Sequence, residues 1–566
     1  MLIKKILPIV FFVFSFYLSY SIGELYYLST NSPDFGPYSE YFYYFDGSNQ
    51  ITSREQGLLY FYLVFLLTFL KGQALNEINF DVIINSSIHS TNAVLYIIGL
   101  TGLYYLLSFK GFKRNNIFYI FTMINFLPVS LMLRWTYKPE ILIFCLITWT
   151  FYLIEKAGSD SDIRTLYISL LPLSIILTSK ATVFGMVSIA LLFYFYKLLK
   201  VFGIKKLVIP VLVLLIFIIG LSVENYSANQ KLLFQYEDLN EKLYNNPAEL
   251  SLLYEVNFYD LFFSPFRHYH SNSLIGITLL ETYGDYYFWY FDNDKSLFAY
   301  NSIDLIPSIP FLAKYEGSLY QSQLVTLFYS IISFLSLLFL SIKYKKYRYF
   351  LLLPLVGYFV LSLQAFGLTS SLLNKNINFD KNTSDIFKVF YSGFFVLISF
   401  SFLYGLILRK LNKTKPFVVI TFLLSMLLIY GFPQERNVEL QNYLEVKNSQ
   451  SYFCNINGVI FDLDTTNCGN TTFISCLKND KYVNPVYLYK PEKNASEEFV
   501  PRLIINSTGE MRTVYSVYEC EELSNQNFIN ASFFKENKRT PWINLLIFII
   551  SLSLILYQKS KFYSDK

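Results

Sequence analysis

The sequence predicts an all-α polytopic membrane protein of about twelve transmembrane helices, with interfacial helices in the first outer loop. A small disulfide-containing extracytoplasmic domain is expected near the C-terminus. Three observations carry this expectation. Of the 566 residues, 54% are hydrophobic and only 15% are charged, against about 25% charged in an average soluble domain. Apolar runs of spanning length recur along the chain, and short basic clusters separate them.

The first element is read from MLIKKILPIVFFVFSFYLSYSIG, where Lys4 and Lys5 precede an apolar run. No small-x-small cleavage site follows, so 4–22 reads as an uncleaved first span. Further runs fall at 84–108, 116–134, 139–155, 166–180, 181–198 and 207–224. Others follow at 322–342, 349–367, 387–408, 417–432 and 542–558. The stretch GLLYFYLVFLLTFL, 57–70, is apolar but short, and the basic clusters decide its fate.

If 57–70 stays on one side, KGFKRNN (110–116), KLLKVFGIKK (197–206) and KYKKYRY (343–349) all fall inside, as do RKLNKTK (409–415) and KSK (559–561). If it crosses, the sign pattern inverts downstream, so 57–70 reads as a helix lying along the interface. The expected location is the cell (inner) membrane, multi-pass, with both termini cytoplasmic. The abundance of Lys, Asn, Ile, Tyr and Phe points to an AT-rich bacterial genome.

This threading divides the chain into a multi-span module, 1–432, with outer loops 23–83 and 225–321, an extracytoplasmic block, 433–541, and a last helix with its tail, 542–566. Cys454, Cys468, Cys476 and Cys520 lie in the outward block, where an even number of cysteines predicts two disulfides with three possible pairings. Zinc is disfavoured there because no C-x-x-C spacing is present. No basic, aromatic-interleaved patch of the kind nucleic acid requires is present.

Ionisable groups are costly in the bilayer core, so their clustering carries information. Asp34, Glu40 and Glu55 lie in the first outer loop, the first two beside Tyr38 in SPDFGPYSEYFYYFDG. Lys138 and Glu140 flank Pro139 in RWTYKPE, and Lys180 sits in LTSKAT with no acidic residue in either adjoining helix. Arg267, His268, His270, Glu281 and Asp285 follow in the long loop. Carboxylates, cations and aromatic rings on one membrane face suit group transfer from a lipid-linked phosphate donor. A carboxylate accepts the acceptor's hydroxyl proton, cations stabilise the departing phosphate, and rings stack on a sugar face.

Each residue also has a structural reading. Asp34 suits the N-cap of a helix over 35–46. Lys138 and Lys180 suit interfacial anchors that snorkel to headgroups, Lys138 especially. The His268-x-His270 pair fits a surface loop better than a metal site; no cofactor is assigned and a divalent metal is left open.

Over roughly residues 1–300 the pattern resembles the glycosyltransferase C superfamily, polytopic enzymes of the mannosyltransferase and aminoarabinose-transferase kind that use polyprenyl-phosphate sugars. The matching features are Pro33-Asp34 with Tyr38 one helical turn on, then REQGLLY, KPE, TSKAT and HSNSLIGITLLETYGDYYF. The resemblance implies that Asp34 is the catalytic carboxylate and that Lys180 lies near the donor phosphate, with Arg267 of the long loop a second candidate phosphate contact. Tyr38, Glu40, Lys138, Glu140, His268, His270, Glu281 and Asp285 would then line the substrate site. The expected activity is an inverting transfer of a sugar from polyprenyl phosphate to a glycan, lipid or protein acceptor. The alternatives are an envelope polysaccharide polymerase or ligase, which would lean on paired arginines, and a lipid or solute transporter, which would need ionisable groups near the midplane.

Overall fold

The structure, a computed structural model, describes residues 35–45, 56–75, 80–126, 128–229, 256–263, 273–281 and 539–564, six strands between 453 and 514, and scattered residues elsewhere. Helices dominate. Helices α1 (Phe35–Phe45) and α2 (Leu58–Leu75) stand before the long α3 (Phe80–Phe109). Next come α4 (Arg114–Phe126), α5 (Pro128–Trp135), α6 (Glu140–Asp160), α7 (Ile163–Ser179), α8 (Ala181–Phe202) and α9 (Ile204–Asn229). The short α10 (Phe258–Phe263) and α11 (Leu274–Glu281) follow, and α12 (Trp542–Ser564) is last. Among the described residues three stretches are long and apolar enough to cross a membrane: Ile83–Phe109, Glu140–Asp160 and Ile204–Asn229. The expected runs 166–180, 181–198 and 542–558 form α7, α8 and α12.

Helix α6 is the centre of the bundle, with every residue from Glu140 to Glu155 buried. A helix apolar around its circumference has to be enclosed by others, and α3 and α7 supply that enclosure. Small residues set the α3–α6 distance. A Cβ at Gly99 would meet the Phe144 ring at 2.7 Å, and one at Gly102 would meet Thr148 Oγ1 at 2.5 Å. The close approach lets Thr148 Oγ1 donate to Gly99 O (3.0 Å) and Trp149 Nε1 to Ile98 O (3.0 Å). Small residues and polar contacts to helix backbone do this work where water offers no hydrophobic drive.

The α6–α7 corner is defined by its caps. Ser161 adopts the left-handed conformation (φ 53, ψ 31) that ends α6, and Asp162 N–H donates back to Ala157 O at 3.1 Å. Asp162 then starts α7, accepting from Arg164 N (3.0 Å) and from Thr165 Oγ1 (2.6 Å). Helices α7 and α8 meet at one extended residue, Lys180 (φ −161, ψ 137). Helix α8 returns beside α6, since Tyr194 and Lys197 both reach Glu155.

The expected single span 116–134 is two helices, α4 and α5, interrupted before Pro128. Proline has no N–H to continue the ladder and its ring opposes the carbonyl four residues back, so the break falls there. Arg134 repairs it: Nε donates to Ser130 O (3.1 Å), Nη1 to Asn125 Oδ1 (3.0 Å), and Nη2 to Asn125 O. Helix α2, over the expected interfacial stretch, lies against the half of α3 remote from Lys110. Tyr60 meets Asn92, and Lys71 meets Ser86 and Ser90.

The expected spans 4–22, 322–342, 349–367, 387–408 and 417–432 fall wholly or mostly outside the described residues. In the C-terminal block the chain forms strands β1 (Phe453–Ile456), β2 (Val459–Asp462), β3 (Phe473–Leu477) and β4 (Val486–Tyr489), antiparallel in the order β2-β1-β3-β4. A second pair, β5 (Arg502–Ile505) and β6 (Met511–Val514), is also antiparallel. Asn457-Gly458 separates the paired Ile456 and Val459, the dipeptide that two-residue hairpin loops favour.

Candidate functional site

The end of the bundle where α6 begins and α7 finishes collects the sequence's candidate residues. Helix α1 places Tyr38, Tyr41, Phe42 and Phe45 at i, i+3, i+4 and i+7, and all four are buried. The Tyr41 ring stacks on Phe61 of α2 at 3.9 Å, and Tyr38 lies 5.2 Å from the same ring. Tyr137 stands edge-on to Phe61 at 5.1 Å and to Tyr38 at 6.4 Å, tying α1 to the segment that enters α6.

That segment, Thr136 to Pro139, is held from α3. Asn92 Nδ2 donates to Thr136 O (2.8 Å) and Arg134 O (3.1 Å), while its Oδ1 accepts from the Tyr60 hydroxyl (2.9 Å). One asparagine thereby satisfies carbonyls at the end of α5 that have no intrahelical partner. Lys138 and Glu140 follow, 1% and 0% exposed.

Glu140 is the first residue of α6, where a carboxylate is favoured by the helix dipole. Its Oε1 lies 2.6 Å from Lys180 Nζ, and both side chains are buried. Its Oε2 has no hydrogen-bond partner among the described residues. Neither α7 nor α8 carries an acidic residue, as the sequence shows, and the partner that Lys180 finds comes instead from α6. The reading of Lys138 as an interfacial anchor is corrected, because a lysine enclosed in protein does not snorkel to headgroups.

The same end is stitched together by asparagines of α9. Asn225 Nδ2 donates to Thr178 O (3.2 Å), and its Oδ1 accepts from Leu58 N (3.3 Å) and Asn544 Nδ2 (3.2 Å). Glu224 caps α12, accepting from the backbone N–H of Ile543 (2.9 Å) and Asn544 (2.7 Å). Gly57 N–H donates to Ser179 O at 2.9 Å, one residue from Lys180. A Cβ at Gly57 would lie 2.8 Å from Ser179 Cα.

The opposite end of α6 carries a second buried carboxylate. Glu155 Oε2 is 2.7 Å from Lys110 Nζ and 2.6 Å from Lys197 Nζ, and Oε1 accepts from the Tyr194 hydroxyl at 3.3 Å. Fifteen residues of helix, about 22 Å, separate the two carboxylates.

The structure thus sets Tyr38 against Tyr137, the residue before Lys138, and pairs Glu140 with Lys180, while Glu40 is half-buried on α1. Asp34, Arg267, His268, His270 and Asp285 lie outside the described residues, as does the side chain of Glu281 at the end of α11. Cys454 and Cys476 sit opposite each other on β1 and β3, while Cys468 and Cys520 lie outside the described residues. Sequence reading missed Arg134, whose guanidinium also lies 4.7 Å over the Tyr96 ring. A lone arginine in the apolar run VSLMLRW was the available signal. No family model, curated protein or solved structure matches the chain.

The arrangement offers two lysines, a buried carboxylate and a wall of tyrosine and phenylalanine rings at one end of the helices. The rings and both lysines are packed within the protein and Glu140 offsets the charge of Lys180, so the arrangement fixes the entry of α6 against α1, α2 and the α7–α8 joint.

Proposed function

We propose that the chain is a membrane glycosyltransferase that moves a sugar from a polyprenyl-phosphate donor to a glycan, lipid or protein acceptor. The observation that carries this reading is the packing of α1, which begins directly after Asp34, against Tyr137, the residue before Lys138. By sequence spacing Asp34 precedes Tyr38 by one helical turn, and Tyr38 faces the bundle beside that segment.

In this reading the Asp34 carboxylate takes the proton of the acceptor hydroxyl as the acceptor oxygen bonds to the anomeric carbon. The bond between that carbon and the phosphate oxygen breaks, and the phosphate leaves with its charge against Lys180 and Arg267. Attack opposite the leaving group inverts the anomeric centre. The Glu140 end faces the extracytoplasmic side of a bacterial inner membrane, both termini face the cytoplasm, and 433–541 covers the acceptor side.

The test is sugar release from labelled polyprenyl-phosphate donors by the purified protein and by Asp34→Asn. Asparagine still serves as an N-cap, so folding is retained. Loss of about 10²-fold or more in turnover is expected from removal of a general base. Unchanged turnover in the variant would assign Asp34 to the cap alone, and no transfer by the wild type with any such donor would reject the reaction class.

A further inference from the structure

We infer that the α8–α9 corner, at the Glu155 end of the bundle, binds the phosphate headgroup of an anionic phospholipid. The inference is independent of the proposed reaction. Lys197, Lys200, Lys205 and Lys206 all fall within 181–223, a stretch of the sequence that carries no acidic residue. The imbalance begins inside the protein, where Lys110 and Lys197 share one carboxylate oxygen of Glu155, so the buried triad is itself cationic. Lys197 emerges from it, its side chain 37% exposed.

The surface continues that charge. Lys200, one turn beyond Lys197, is exposed with its ammonium 4.4 Å over the Tyr196 ring. Gly203, with φ +73, ends α8 in a conformation that favours glycine, and the chain turns directly into α9. Lys205 and Lys206 are exposed in the first turn of α9, where backbone N–H groups also point outward. Below this basic rim the exposed residues are apolar: Val208, Ile209, Leu212, Ile216 and Ile219 on α9.

A cationic rim over a long apolar wall matches a phospholipid, with its phosphate at the lysines and its acyl chains along α9. A free anion would use the rim and leave the wall idle. A soluble acidic peptide would use the rim but has no apolar length to lay along α9. The neutral headgroup of phosphatidylcholine would not answer the charge imbalance, so the class is an anionic lipid such as phosphatidylglycerol or cardiolipin.

The protein is reconstituted in nanodiscs of phosphatidylcholine with increasing phosphatidylglycerol, and bound lipid is counted by native mass spectrometry after release while thermal unfolding is followed in parallel. Phosphatidylglycerol should be retained in preference to phosphatidylcholine and should raise Tm. The variant Lys200→Gln/Lys205→Gln/Lys206→Gln touches exposed side chains only, leaving the Glu155 triad in place. Each lysine removed should weaken retention roughly fivefold, from about 1 kcal/mol per basic residue near an anionic surface. Equal retention of the two lipids, or full preference in the triple variant, would overturn the inference. So would an inorganic phosphate arm that reproduces the whole Tm shift in phosphatidylcholine alone, which would make the corner a small-anion site.

Discussion

Lys180 Nζ lies 2.6 Å from Glu140 Oε1, and this pair joins the first residue of α6 to the single residue between α7 and α8. Both groups are buried, so each is tolerated largely because the other is present. Lys180→Met keeps the length and apolar bulk but strands a buried carboxylate. A loss of about 3–5 kcal/mol is expected from breaking such a pair. Glu140→Gln should destabilise comparably, while Glu140→Gln/Lys180→Met should recover most of the loss, since an uncharged pair carries no desolvation debt. Thermal unfolding of the three variants in detergent reads this directly. Additive losses in the double variant would show that the two residues do not act as a pair.

Gly57 makes a sharper structural prediction. Its Cα faces Ser179, and an added Cβ would meet backbone, Ser179 Cα at 2.8 Å and Thr178 O at 2.9 Å. Backbone cannot rotate aside as a side chain can. Gly57→Ala should therefore push α2 from α7, stretch the Gly57 N–H to Ser179 O bond, and cost about 1–3 kcal/mol. Gly158→Ala is the control, because its Cβ would meet only Leu198 Cδ2 at 3.7 Å. Equal Tm values for the two variants would contradict the close contact.

Asp162 links stability to pH outside the spans. The Thr165 hydroxyl, 2.6 Å from Oδ2, is the main cause that holds its carboxyl below the usual range, helped by the backbone N–H of Arg164 and Thr165. A carboxyl with a depressed folded pKa contributes stability that is full above its unfolded value and is lost as pH falls through the folded value. Asp162→Asn keeps an acceptor but cannot titrate. The difference in Tm between wild type and Asp162→Asn should thus shrink as pH drops below about 4. Asp162→Ala should cost about 0.5–2 kcal/mol at neutral pH through loss of the cap.

How much of this was legible follows from which interactions are local. The apolar runs gave α3, α6, α7, α8, α9 and α12 because burial along one helix is written in consecutive residues. Pro128 was visible in the sequence, yet reading 116–134 as continuous missed that its break needs a repair by Arg134. Lys138, Glu140 and Lys180 were singled out as charges among apolar neighbours. Their pairing was not, because Glu140 and Lys180 are separated by forty residues and nothing in either helix encodes the other. Asn92 and Asn225 were invisible for the same reason: an asparagine's partners are backbone atoms of distant segments.

The strand register carries a prediction that cysteine counting left open. Four cysteines allow three pairings. Cys454 of β1 stands directly opposite Cys476 of β3 in an antiparallel pair. Directly opposed residues in such a ladder have Cα atoms about 4.5–5.5 Å apart, inside the range of about 4.4–6.8 Å that a disulfide bridges. The expected bonds are therefore Cys454–Cys476, with Cys468 left for Cys520. Formation removes two protons and two electrons from each thiol pair, and requires a protein-disulfide oxidant such as an oxidising compartment would supply. The first bridge would close a loop of about 20 residues and stabilise the sheet by about 3 kcal/mol. Peptide mapping without reduction should recover Cys454 joined to Cys476. Cys454→Ser should release Cys476 to alkylation without exposing Cys468 or Cys520, and Cys454→Ser/Cys476→Ser should lose the first linkage while keeping the second. A peptide joining Cys454 to Cys468 would displace the register as the guide to pairing, and four alkylatable thiols in protein isolated from the membrane would place the block in a reducing compartment.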